Sequence, residues 1–159
     1  MANGFFPDLR PHHVGISVAD TDEAIAFWSE VFGFELDFKA ELKPIRTVVA
    51  FLKRDGFRIE LFRKEGAVPA HPDRLKPNTD LLTHGTKHIA FSVEDVQAAA
   101  ERLHAHGVRI VGVMRGKGTP MQAEEDPRLD GTKAPAMALF FLDDSDTLIE
   151  IIRRSDFSD

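Results

Sequence analysis

The 159 residues include no cysteine. That excludes disulfides, thiolate metal sites and cysteine nucleophiles. Tyrosine is absent as well, which removes the phenol that some metal enzymes place beside their cation. No apolar run reaches the length of a membrane-crossing helix. The opening residues, Met1-Ala2-Asn3-Gly4-Phe5-Phe6-Pro7, lack the charged start and apolar stretch of a signal peptide. The expectation is a cytoplasmic protein with no membrane partner. Basic residues are not in excess: the net charge is −6 and the sequence pI about 5.6. Nothing therefore marks a nucleic-acid partner, although local Arg or Lys groups can still meet a small anion.

What the chain does have is an internal repeat. His13-Val14-Gly15-Ile16-Ser17-Val18 returns 75 residues later as His88-Ile89-Ala90-Phe91-Ser92-Val93. Asp20/Asp95 and Ala24/Ala99 align at the same offset without a gap. A repeat fixes the architecture before any single element is assigned. The 43% hydrophobic content is enough to fill one core or two small ones.

Each copy opens on a strand-like alternation and passes into a helix. In the first, Val14, Ile16 and Val18 share one face, and His13, Gly15 and Ser17 the other. Asp20 is placed to cap a helix, with Glu23 three residues on. Ile25, Trp28, Val31 and Phe32 recur at helical spacing, and Gly33 sits where a left-handed C-cap belongs. Phe34–Glu41, Ile45–Lys53 and Phe57–Arg63 read as strands, with Arg54-Asp55-Gly56 as a hairpin turn. In the second copy Thr86–Val93 is a strand. Asp95 caps a helix carrying Val96, Ala99, Ala100 and Leu103, which Gly107 closes. Val108–Val113, Ala136–Leu142 and Thr147–Arg153 complete the set. The reading is α+β: a βαβββ module at 11–63, a Pro/Gly-rich linker at 64–85 and a second module at 86–154. Residues 114–135 form a long Gly/Pro/charge loop, functional or mobile by its length.

Four residues carry the chemistry. His13 and His88 open equivalent strands. Glu60 and Glu150 sit in the closing strand of each half, inside the apolar runs Arg58-Ile59-Glu60-Leu61-Phe62 and Leu148-Ile149-Glu150-Ile151-Ile152. A mid-strand carboxylate is costly if buried and unpaired. Taken singly, a strand histidine is most simply a hydrogen-bonded structural residue, and a strand glutamate lies on a wet face. Two of each, at matching places in a repeat, are explained together by one divalent cation. Two imidazoles and two carboxylates suit zinc, nickel, cobalt, manganese or ferrous iron.

These pieces, with Phe32-Gly33-Phe34 and Lys87-His88-Ile89-Ala90-Phe91, resemble the vicinal oxygen chelate superfamily, the glyoxalase I/bleomycin-resistance/dioxygenase fold. The resemblance runs from about Pro11 to Arg154. It implies two tandem βαβββ modules forming a curved mixed sheet around a metal cleft. The implied metal ligands are His13, Glu60, His88 and Glu150, with Glu150 or Glu60 also acting as the catalytic base. A four-ligand set resembles the glyoxalase I and methylmalonyl-CoA epimerase members. It implies a metal-dependent lyase or isomerase that acts on a small oxygenated, in part anionic, substrate through an enolate. Thr47-Val48-Val49-Ala50 offers no acid where some epimerases carry a base. Ring-cleaving dioxygenases and fosfomycin thiol transferases resemble the chain less, since they use a three-ligand set and a tyrosine. An iron-dependent dioxygenase and a non-catalytic, bleomycin-resistance-like binding protein are the alternatives. The family resemblance also implies a homodimer.

Other residues carry weaker signals. Arg115-Gly116-Lys117-Gly118-Thr119 has the charges and backbone NH groups to grip an anionic tail, or is a solvated loop. Arg46, Arg58 and Arg63 are further cations for an anionic substrate, or exposed arginines that need no function. Phe51, Phe62, Met137, Leu139 and Phe141 line a pocket or fill the core. His12, His71, His84, His104 and His106 have no repeat partner and read as surface residues. Trp28 reads as core.

Overall fold

The computed structural model describes residues 9–157. The chain divides after Ala67 into two compact units. In the first, β1 (His13–Ser17) leads into α1 (Thr21–Phe32), followed by β2 (Glu35–Leu42), β3 (Thr47–Arg54) and β4 (Phe57–Lys64). In the second, β5 (Ile89–Val93) leads into α2 (Val96–Ala105), followed by β6 (Ile110–Met114), β7 (Ala138–Leu142) and β8 (Leu148–Arg153). The sheet orders are β1-β4-β3-β2 and β5-β8-β7-β6. The first strand of each sheet runs parallel to the last, and the remaining pairs are antiparallel. The two units are thus the same βαβββ topology drawn twice, and the fold is α+β. Even the irregularities repeat: pairing slips between Leu36 and Phe38 in β2 and between Ile110 and Gly112 in β6.

Local chemistry accounts for the boundaries. Asp20 caps α1 by accepting from the backbone N–H groups of Asp22 (2.8 Å) and Glu23 (3.1 Å). Gly33 ends that helix at φ +66°, its N–H donating to the Ser29 carbonyl. Asp95 caps α2 through Ala98 N–H, at 2.9 Å. Asp55 and Gly56 both take positive φ between β3 and β4, the backbone required by the tightest right-twisting hairpin. Most strands begin one to three residues later than their apolar runs suggest. Between β2 and β3 the stretch Lys43–Ile45 is a 3₁₀ turn around Pro44 rather than strand.

Each helix buries one face against its own sheet. In the first unit Ala24 and Trp28 on α1 and Leu52, Ile59 and Leu61 on β3 and β4 are all fully buried. Trp28 stacks on Phe32 and meets Phe34 edge-on. In the second unit Val96, Ala100 and Leu103 pack with Leu139, Phe141 and Ile149. The opposite face differs between the units. Every residue of β7 is buried, because Phe140, Leu142 and Leu148 are covered by Leu75, Val111 and Met121. Leu75 comes from the stretch between β4 and β5, which contains a 3₁₀ turn at Pro72–Leu75. That stretch is drawn together by Asp80, which pairs with Lys87 (3.1 Å) and Arg74 (3.5 Å).

No helix among the described residues is long and apolar enough to cross a membrane.

Candidate functional site

Parallel pairing of the first and last strands sets the site in each unit. In β1 and β4, His13 lies opposite Arg58 and Gly15 opposite Glu60. The imidazole of His13 and the carboxylate of Glu60 therefore project from one face, two residues apart in register. His13 Nε2 stands 3.2 Å from Glu60 Oε2. Gly15 leaves room for the Phe62 ring, which a Cβ there would meet at 3.0 Å, while its contact with Glu60 Oε2 would be an ordinary 3.8 Å. The second unit repeats the device. Ala90 lies opposite Glu150, and His88 Nε2 stands 3.0 Å from Glu150 Oε2.

An aromatic ring completes each pair. Phe51 lies opposite Glu60 in the β3–β4 pairing and meets the His13 ring edge-on at 5.4 Å. Phe140 lies opposite Glu150 in the β7–β8 pairing and meets His88 at 5.2 Å, perpendicular. Both carboxylates are largely shielded, with side-chain exposures of 18% and 20%, while the imidazoles are more open, at 39% and 36%. Burial holds the Glu150 carboxyl above its ordinary value, against the opposite pull of His88.

All four residues expected from the sequence thus occupy equivalent places, and each unit assembles one His–Glu pair. Among the described residues, no group of three or more His, Cys, Asp or Glu side chains is arranged to hold a metal ion. The donors themselves fit a divalent cation of borderline softness: imidazole nitrogen with carboxylate oxygen. The spacing fits too, since two ligands each about 2.1 Å from a cation and at right angles lie about 3 Å apart.

Other expectations change. The Phe51 assignment holds a place beside the donors, but Leu139 and Phe141 are fully buried under α2, and Phe140 takes the position beside His88. Arg115 is no anion grip. Its guanidinium is largely buried and forms a bidentate pair with Glu124, at 2.9 and 2.8 Å. It also donates to the carbonyls of Pro127 and Ala134. Lys133 joins Glu124 at 2.7 Å. Arg58 is spent on Asp37 (3.3 Å), and Arg46 pairs with Glu65 (3.5 Å). Gln97 was not singled out by the sequence, yet it is buried. It donates to the Pro127 carbonyl and accepts from Ala136 N–H, both at 2.9 Å. A polar residue beside a helical stripe carries no signal that a distant loop will come to it. His12 also gains a role, for its Nδ1 lies 2.8 Å from His13 Nδ1.

Comparison with known proteins agrees with this fold. The model of the Glyoxalase/Bleomycin resistance protein/Dioxygenase superfamily matches residues 10–151. The chain belongs to that superfamily. A 2-epi-5-epi-valiolone epimerase from Actinomyces sp. is 36% identical over 117 residues, 64% of this chain and 61% of the relative, so the match spans about three-fifths of that protein. A lactoylglutathione lyase from Haemophilus influenzae is 32% identical over 130 residues, 76% of this chain and 86% of the relative. Among solved structures, the trypanothione-dependent glyoxalase I of Leishmania major superposes with a TM-score of 0.64 at 20% identity, covering 94% of this chain and 89% of that one. The last likeness concerns the fold alone.

Proposed function

We propose that this chain is a metal-dependent lyase or isomerase of the glyoxalase type, acting on a small substrate that carries vicinal oxygens. The observation that carries the proposal is the duplicated pair, His13–Glu60 and His88–Glu150, at nearly the same separation in two equivalent strand pairs. Relatives named as an epimerase and a lyase support the reaction class. In the proposal the two pairs serve one divalent cation per chain. That cation would supply Lewis acidity toward the substrate oxygens.

The residues of the chain would do the rest. Glu150 or Glu60 takes a proton from the carbon beside a carbonyl: the C–H bond breaks, an O–H bond forms on the carboxylate, and the electron pair passes to the substrate oxygen. Return of the proton to the same carbon gives epimerisation, and return to its neighbour gives isomerisation. Phe51 and Phe140, edge-on to the two imidazoles, keep water from one side of each.

The test is metal analysis of the freshly purified protein, followed by assay against 2-oxoaldehyde hemithioacetals and acyl-CoA thioesters. One tightly held cation per chain is expected, lost in both His13→Ala and His88→Ala together with turnover. Full occupancy and activity in His88→Ala would overturn the proposal. Oxygen uptake with ferrous iron and a catechol would move the chain to the dioxygenase branch.

A further inference from the structure

The two His–Glu pairs are alike, but their surroundings are not. The residue before His13 is a second histidine, and the residue before His88 is Lys87. Lys87 turns to the stretch before β5, where its Nζ donates to the Asp80 carbonyl (2.5 Å), the Asp80 carboxylate and the Thr83 carbonyl. His12 instead turns to the site. Its Nδ1 lies 2.8 Å from His13 Nδ1, and the two rings stand nearly perpendicular, at 83°. Its backbone is fixed to the neighbouring strand, where the His12 carbonyl accepts from Arg58 N–H at 3.0 Å.

Two bare ring nitrogens repel at 2.8 Å, so one proton lies between them. His13 is thus engaged at both nitrogens, Nε2 toward Glu60 and Nδ1 toward His12. The rotation of its ring is thus set from outside. With the Nε2 lone pair given to a cation, the ring proton of His13 resides on Nδ1 and its acceptor is His12 Nδ1. Such outer partners orient a ligating imidazole and raise its basicity, and losing one typically costs 10–100-fold in metal affinity.

We infer that His12 is a positioning residue, which fixes the His13 ring for ligation through Nε2 and makes the first pair the better-organised of the two. This rests on the metal-binding reading above. The repeat obscures it, since a residue without a counterpart looks incidental.

The test compares wild type with His12→Phe, which has no ring nitrogen, and His12→Asn, whose amide can donate or accept from a similar place. Each protein is stripped and titrated with zinc(II) alone against a chromophoric chelator at a single pH. The metal-free melting temperatures are compared in parallel. His12→Phe is expected to bind zinc at least about tenfold more weakly. His12→Asn should stay within about threefold of wild type, with metal-free stability equal in all three. Equal affinity in His12→Phe and wild type, or equal losses in both variants, overturns the inference.

A second readout needs no metal. Long-range proton–nitrogen NMR of metal-free protein should show a hydrogen-bonded His13 Nδ1 in wild type and His12→Asn, and a free one in His12→Phe. An unchanged nitrogen in His12→Phe overturns the inference by itself. A wild type with the hydrogen bond but no zinc uptake overturns the metal reading and leaves the positioning role standing.

Discussion

Gly112 shows how a missing methyl group shapes the second unit. A Cβ there would lie 2.9 Å from Met121 Cγ and 3.3 Å from Pro77 Cγ, so glycine lets two separate stretches close over β6. Gly112→Ala should destabilise by about 1–3 kcal/mol through overpacking. Gly112→Ala with Met121→Ala should recover part of that loss, which chemical denaturation of the four proteins of the cycle would measure. Phe140 is a second lesson at this scale. The run Ala138-Leu139-Phe140-Phe141-Leu142 is apolar throughout and buried throughout. A strand covered on both faces shows no alternation, so the sequence points equally to Phe140 and Phe141. Only the register, with Phe140 opposite Glu150, decides between them. In β1 and β4, where one face stays polar, alternation sets His13 and Glu60 apart from the apolar face of their own strands, and the register brings the two together.

The 114–135 stretch reads as functional or mobile because glycine, proline and charge dominate it, and composition cannot reveal that the charges pair with one another. Arg115 is its hinge pin, tied to Glu124, Pro127, Ala134 and, at 3.3 Å, to Gln97 on α2. Arg115→Ala leaves the largely buried Glu124 with Lys133 as its remaining cation, and should cost about 1–3 kcal/mol. Hydrogen exchange should rise across the loop and stay unchanged in β1–β4. Acid should act on the same joint. Arg115, and then Lys133, hold the Glu124 carboxyl below its ordinary value despite some burial. The unfolded chain therefore binds the proton more readily. The contribution of Glu124 is complete above its unfolded pKa, about 4.5, and is lost as pH falls toward the depressed folded value. Limited pepsin proteolysis of the loop should accelerate as pH drops from about 5 to about 3, and Glu124→Gln should remove most of that dependence.

For the molecule as a whole, the repeat was the most legible feature, since two βαβββ units follow from one 75-residue offset and two capping aspartates. What covers the second sheet was not legible, because Leu75 and Met121 reach it from stretches with no periodic pattern. The proposed cation supplies a measurement at this scale. A ligand that binds only the folded chain, at a free concentration about 100 times its Kd, adds about 2.7 kcal/mol. Stripped protein should therefore melt about 5–10 °C below the zinc-loaded form. That gap should close in His13→Ala and in His88→Ala alike. A gap that persists in either variant would mean that the stabilising ion sits elsewhere.

His88, just before β5, and Glu150, on β8, lie at one side of the second sheet, whereas the Arg115-clamped loop joins β6 and β7 at the other. The matching connection in the first sheet is the short turn around Pro44. A lineage can thus lengthen, shorten or rewrite that far connection while the strands beside the His88–Glu150 pair go untouched.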